Sequence, residues 1–366
     1  MIKLNIVVVT RNRLLALIDA LNSIKRIIEI QAYPVEISVT IQDNSDYEVQ
    51  ESILKYFRKT LLISYLKTNQ VLSMSMNWNQ GILRAVRKKG DYIVVLADRR
   101  LVSTNLINAL AIIEQKRKDF ICFDHQDTWV NALKVRTKNY TFDLQIGSHE
   151  KLLKAFGSAQ IDWHNPMLFN CILRTDFLSY LGKHYGSFAE GSSPDMNFLA
   201  RMVDLRIQSY LTYDAPCILT NARHVTSSNG NSFYKTNYKD NEHYRLSGID
   251  AYPHYMANFV TANIIGSLER YWDTTRIKEI INPRNFLKSS LLELSYPKSL
   301  EIFCKMKESL YEFADEFSLD ESDRRLIKSI QHTEVASQMY PIDTKPDLNN
   351  TPNLGLINQI ERLMSK

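Results

Sequence analysis

Four short apolar runs, each separated from the next by room for a helix or more, constrain this chain more than any other feature. They are LNIVVV at 4–9, VEISVTI at 35–41, DYIVVL at 91–96 and DFICF at 119–123. Runs of this length, rich in β-branched residues and bounded by polar breaks, read as strands. Between the first two, Leu14, Leu17, Ile18, Leu21, Ile24 and Ile28 recur at three- and four-residue steps, which predicts a helix with one apolar face. A helix over about 46–58, a strand near 61–66 and a helix over 73–88 continue the alternation. The order β-α-β-α-β-α-β predicts a mixed, mostly parallel sheet flanked by helices. Ligands of such sheets sit outside the carboxyl ends of the strands. That rule singles out Thr10–Arg13, Asp43–Ser45 and Asp98–Arg100.

Further along, 101–118 reads as a helix and 124–165 is weakly patterned, with strands at best around 128–136 and 141–146. The stretch 166–220 combines a helix (175–184), the turn Gly191-Ser192-Ser193-Pro194-Asp195, a helix (196–204) and a strand (207–213). From about 236 the composition favours helix: 251–272, 274–281, 284–294, 298–316 and 320–338. Pro341, Pro346 and Pro352 mark a loop-rich tail that ends in a short amphipathic helix at 355–364. The expected division is 1–235, a helical region 236–340 and a tail 341–366.

Composition removes several function classes. The chain has 11 glycines in 366 residues, well under the usual roughly 7%. None of them forms G-x-G-x-x-G, and Gly182-Lys183 lacks the rest of a P-loop. A nucleotide would have to be held without a glycine cradle. The net charge of +5 is mild and its basic residues are scattered, which argues against a nucleic-acid partner. Cys122, Cys171, Cys217 and Cys304 form no C-x-x-C, so a zinc or redox site is not expected. The opening MIKLNIVVVT has too short an apolar run for a signal peptide. No run approaches the ~20 apolar residues of a membrane span. A cytoplasmic location is the expectation.

The motifs in the first hundred residues carry a resemblance. VVVTRNR ends the first strand, IQDNSD ends the second, TNQVLSMSMNWNQGILRA opens a helix, and GDYIVVLADRR closes on an acidic position. In this order and spacing they resemble the family 2 glycosyltransferases of GT-A fold. PMLFNCILRTDFL, GSSPD, APCIL and HVTSSNG, between 166 and 230, resemble a bacterial branch that builds surface polysaccharides. The likeness covers about residues 4–235. It implies a nucleotide-sugar donor, a saccharide or lipid-linked glycan acceptor, inversion at the transferred sugar, and in the family's usual form a divalent metal, Mn or Mg. A lipid-linked acceptor would put the protein at the inner face of the membrane.

Residue by residue, each role has a plainer alternative. Asp43 suits a turn or helix cap by its local sequence; the resemblance implies a contact to base or ribose. Arg11 or Arg13 could reach a phosphate or stack near the base; the plain alternative is helix capping by Thr10 with solvated arginines. Asn77 and Asn79 carry amides suited to a base or ribose, whereas Trp78, Met74 and Met76 read as packing. Asp98 stands where the family holds two or three carboxylates for a metal. Here Arg99 and Arg100 follow it, so metal use is in doubt and the arginines could neutralise phosphate directly. Asp195 could be a simple cap, but the resemblance makes it the catalytic base. In related folds a histidine at this place completes a metal site or contacts the diphosphate, so His224 could join Asp98 at a metal, meet the diphosphate or be structural.

Segment 251–272 is rich in aromatics. Packing on the catalytic domain is its favoured reading, with a dimer surface or peripheral membrane contact as alternatives. The alternative for the whole chain is a non-catalytic sugar-nucleotide or glycan binder with a degenerate site.

Overall fold

Strand β1 (Ile2–Thr10) sends Leu4, Ile6 and Val8 to one face and Val7 and Val9 to the other. Strand side chains alternate, so a continuous apolar run needs cover on both sides. The computed structural model describes residues 1–31, 33–124, 129–130, 135–136, 140–158, 164–191, 194–221, 267–268, 270–294 and 300–332. His224, the boundary at 235/236, most of 251–272, Ser192-Ser193 and the tail from 341 lie outside them.

After β1 come α1 (Leu14–Ile30), β2 (Val35–Asp43), α2 (Glu51–Arg58), β3 (Leu62–Lys67), α3 (Met74–Arg87) and β4 (Tyr92–Ala97). Strand β5 (Arg100–Val102) and α4 (Asn105–Lys116) follow, then β6 (Phe120–Asp124), β7 (Trp129–Val130), β8 (Val135–Arg136) and β9 (Leu144–Ser148). Next are α5 (His149–Gly157), β10 (Cys171–Arg174), α6 (Thr175–Tyr185), α7 (Pro194–Asp204), β11 (Ser209–Pro216) and β12 (Ile218–Asn221). The later helices are α8 (Thr274–Ile280), α9 (Pro283–Leu294), α10 (Leu300–Glu316) and α11 (Glu321–Ser329).

The main sheet runs β3-β2-β1-β4-β10-β6-β11-β9. Strands β3, β2, β1 and β4 are mutually parallel, β10 lies antiparallel between β4 and β6, and β9 is an antiparallel edge. The expected mixed, mostly parallel sheet with helices on both faces is what forms. A second sheet, β5-β12-β7-β8, sits beyond the end of β4. Register decides the site: Thr10 pairs with Asp43, and Val9 with Ala97, so three strand ends finish side by side.

One face of the sheet is covered by Leu17, Leu21 and Ile24 of α1 with Leu106 and Leu110 of α4. The other face meets α3, α5, α6 and α7. Gly81 lets α3 lie close to β1, since a Cβ there would come 2.9 Å from Val7 Cγ1. The glycine in N-x-G-I is thus a packing residue. Trp78 packs in this core, as expected. Ile277, Phe286, Leu310 and Phe313 of the later helices join the same hydrophobic cluster. The Asn282 N–H donates to the Gly157 carbonyl at 2.7 Å, fastening the α8–α9 link to the end of α5.

Several bounds and elements differ from the sequence reading. The helix expected over 101–118 begins only at Asn105, because 100–102 pair with β12. Helix α2 starts at Glu51, not 46, because Asp46 and Tyr47 bond to the turn after β1. Strand β10 and helix α5 were not anticipated; at four and nine residues they are too short for periodicity to reveal.

Candidate active site

The turn after β1 is zipped to the turn after β2. Asn12 adopts a left-handed backbone, φ +57°, which asparagine tolerates better than most residues. Its N–H donates to Ser45 Oγ (2.7 Å), its side-chain amide donates to Asp46 Oδ2 (2.7 Å), and its Oδ1 accepts from the Asp46 N–H (2.8 Å). This clasp holds Arg11 and Arg13 on either side at the carboxyl end of β1. The carboxyl-end rule singled out the stretches that hold Asn12 and Ser45 without giving either residue a role, and it stopped one residue short of Asp46.

Asp98 is almost completely buried at the end of β4. Its Oδ2 accepts from Thr10 Oγ1 at 2.7 Å, and its Oδ1 lies 3.3 Å from Arg13 Nη1. Three of the expected site residues therefore meet directly. Asn77 joins them: its amide donates to the Thr10 carbonyl at 3.4 Å, while its Oδ1 is buried without a hydrogen-bond partner. Such an orphaned acceptor is costly unless something else satisfies it.

Asp43 and Asn79 stand apart from that group. Asp43 is fully buried; its Oδ2 accepts from the Tyr65 hydroxyl (2.8 Å) and its Oδ1 from the Ser45 N–H (2.8 Å). This is the turn-forming arrangement that its local sequence favours, and burial beside Asp43 pushes the Tyr65 hydroxyl pKa up. Asn79 spends its amide on a distant loop, donating to the Ala189 carbonyl (2.6 Å) and accepting from the Phe188 and Ala189 N–H groups. Neighbouring Asn44 bonds the Leu72 N–H and the Gln70 carbonyl, and so shapes a cleft of about 400 Å³ between the ends of β2 and β3. Ser45, Asp46, Lys67 and Thr68 are among its lining residues.

Arg99 and Arg100 face Asp195. Arg100 donates to the Thr220 hydroxyl and lies over the Phe169 ring, 5.1 Å from its centroid. The Phe169 N–H donates to the Asp195 carboxylate. Asp195 sits in the first turn of α7, immediately after Pro194, where a helix start favours a carboxylate. Its Oδ1 is nevertheless buried with no hydrogen-bond partner. Burial pushes the Asp195 pKa up to about 7, against the opposing pull of Arg100 and Arg99. Burial, with Arg99 alongside, pushes Arg100 down to about 10.

Helix α7 is itself anchored through Arg201, which is fully buried. Its guanidinium donates to the Tyr271 hydroxyl (2.8 Å), the Ser187 carbonyl (2.6 Å) and Ser187 Oγ (2.8 Å), and lies over the Tyr185 ring. Glu190 pairs with Arg201 at 3.5 Å and also with Arg270. The network thus joins the loop before Asp195, the helix that carries Asp195, and the chain just before α8. Sequence alone could not pair Arg201 with residues up to seventy positions away.

Among the described residues no group of three or more His, Cys, Asp or Glu side chains could hold a metal ion. No described helix is long and apolar enough to cross a membrane.

No family model matches the chain, and no curated protein matches it. Among solved structures, the crystal structure of S. aureus TarS 1–349 in complex with UDP-GlcNAc is similar, with a TM-score of 0.52 at 15% identity over 89% of this chain and 84% of that one. S. aureus TarS 1–349 in complex with UDP gives a TM-score of 0.48 at 13% identity, over 89% of this chain and 90% of that one. The likeness is one of fold: a GT-A-type sheet with flanking helices and later C-terminal helices.

Proposed function

We propose that this chain is a glycosyltransferase that moves a sugar from a nucleotide-sugar donor to a saccharide or lipid-linked glycan acceptor, with inversion, in the building of a cell-envelope polysaccharide. The observation that carries the reading is Asp195: a carboxylate with one buried, unpartnered oxygen, held near neutrality in its proton affinity, close to the arginines beyond β4. A general base works best when its pKa lies near the working pH. In this scheme Asp195 Oδ1 takes the proton of an acceptor hydroxyl. The freed oxygen forms the new bond to the anomeric carbon as the bond to the diphosphate oxygen breaks on the opposite face, and the bonding pair leaves with the nucleoside diphosphate. Positive groups by Asp98 meet the charge that develops there. Asn77 Oδ1 and the cleft beside Asn44 offer polar atoms to the nucleoside.

The donor should seat at the ends of β1, β2 and β4, with Thr10, Arg11, Arg13 and Asp43 around it. UDP-GlcNAc is the first donor to try, because the TarS fold neighbour holds it. Cytoplasmic action, at the inner membrane face when the acceptor is lipid-linked, follows from such a substrate pair.

Release of UDP should be measured across a panel of sugar nucleotides with envelope glycans as acceptors. Turnover should climb with pH through about 7 and level off above it, since only ionised Asp195 accepts a proton. Donor binding without any turnover would support the non-catalytic binder, a reading favoured by the engagement of both Asp98 oxygens inside the protein.

A further inference from the structure

We infer that guanidinium groups of this chain, Arg13 and Arg99 foremost, meet the donor diphosphate in place of a divalent cation. The inference rests on the nucleotide-sugar reading of the site. Magnesium and manganese prefer several hard oxygen ligands, usually with more than one carboxylate among them. Here one carboxylate stands at the end of β4, and both its oxygens are engaged, Oδ2 by Thr10 and Oδ1 by Arg13. The next two residues are arginines. A cation seated on Asp98 would face the Arg13 guanidinium at the same carboxylate, with Arg99 close to both. The donor set does not fit a divalent ion.

It does fit an anion. Arg13, Arg99 and Arg100 stand against Asp98 and Asp195, which leaves positive charge in excess even with both carboxyls ionised. Arg13 and Arg99 are near enough to repel. An arriving diphosphate would relieve that repulsion and receive planar, paired N–H donors, which suit phosphate oxygens. Arg100 is the anchored member, bonded to Thr220 and lying over Phe169. Asp98 then acts as a positioning residue that holds Arg13 through Oδ1 while Thr10 fixes the carboxylate.

Calorimetric titration of the full chain with UDP and with inorganic pyrophosphate, in EDTA and in Mn²⁺, tests this. The expected result is that UDP binds in EDTA with affinity within about threefold of that in Mn²⁺. Arg99→Ala should weaken both anions by about tenfold or more in either condition, with Arg99→Lys recovering part of the loss. Asp98→Ala should keep UDP binding within about tenfold, whereas a metal site would be lost with its only carboxylate. Circular dichroism and melting curves confirm that each variant is folded; if Arg99→Ala unfolds, Arg99→Lys and Arg99→Gln carry the comparison. UDP binding that requires Mn²⁺ and disappears in Asp98→Ala overturns the inference and leaves the nucleotide-sugar reading standing. Pyrophosphate binding in EDTA without UDP binding supports the anion site and removes the nucleotide reading. Failure of both anions to bind in either condition overturns both.

Discussion

Helix α7 carries two charges six positions apart, fully buried Arg201 and half-buried Asp195, that are treated in opposite ways. At Arg201 every branch of the guanidinium has a partner, a ring covers one face, and Glu190 supplies a counter-charge. At Asp195 one oxygen accepts from the Phe169 N–H, while Oδ1 is buried and unpartnered. Burying a charge is tolerable when its hydrogen bonds are all made and expensive when they are not. The first arrangement is therefore scaffold. The second persists because the scaffold imposes it, and the unmet oxygen is what a proton-accepting site needs. Arg201 fixes the loop before Asp195 and the helix behind it, so the strain at one end is sustained by satisfaction at the other.

Breaking the reactive end should give the largest effect. Asp195→Asn preserves shape but removes the proposed base, so transfer should fall by about 10²–10⁴-fold while UDP affinity stays near that of the parent. A steady-state assay paired with calorimetry reads both, and retained turnover would remove Asp195 from its role.

Breaking the scaffold end should act on stability. Arg201→Met takes the donor away from the Ser187 carbonyl and the Tyr271 hydroxyl, while Glu190 keeps Arg270, and should cost about 1–3 kcal/mol for each group left unpaired, read from urea unfolding. Arg201→Lys should rescue little, because one ammonium cannot reproduce the fork to Tyr271 and Ser187. A loss under about 1 kcal/mol would mean that the network is ornamental.

The two ends should also differ in their pH response. Asp195 has a raised pKa in the folded chain, so folding takes up a proton between the ordinary carboxylate value and about 7. Its favourable contribution is complete below about 4 and is lost as pH rises through 7, at a slope approaching about 1.4 kcal/mol per unit at most. Asp195→Asn should flatten that part of the stability–pH curve and make the protein more stable than its parent at pH 8. An unchanged curve would show that Asp195 is ordinarily acidic.

Glu190→Gln should have the smallest effect. Glu190 is partly exposed, and such pairs contribute about 0–1 kcal/mol. A loss of several kcal/mol would show that Arg201 depends on this counter-charge more than on its neutral partners.

How much of this was visible in the residues depends on the range of the interaction. The strands at β1, β2, β4 and β6 show as apolar runs because two-sided burial leaves a local mark. The carboxyl-end rule drew attention to Thr10, Asp43 and Asp98 for the same reason. The turn at Asp43 was legible, since Asp-Asn-Ser bonds its own backbone. Asn79 was not: its polar partners lie 109 and 110 residues later, in a loop with no pattern of its own. The strand at Arg100–Val102 was hidden within an apolar stretch that also suits a helix, and only its partner β12 decided the matter.

By itself the sequence determined the order of elements, the absence of a glycine cradle, and the pair of arginines that follows Asp98. Those are properties of composition and of spacing within a few turns. Tertiary structure alone decided that Thr10 and Arg13 occupy both oxygens of Asp98, 88 and 85 residues away. It decided equally that Asp195 keeps one oxygen unpartnered while Arg201 keeps none of its branches so. Hydrogen-bond satisfaction depends on which strand ends and loops finally adjoin, and strand order is a long-range outcome that local periodicity does not encode.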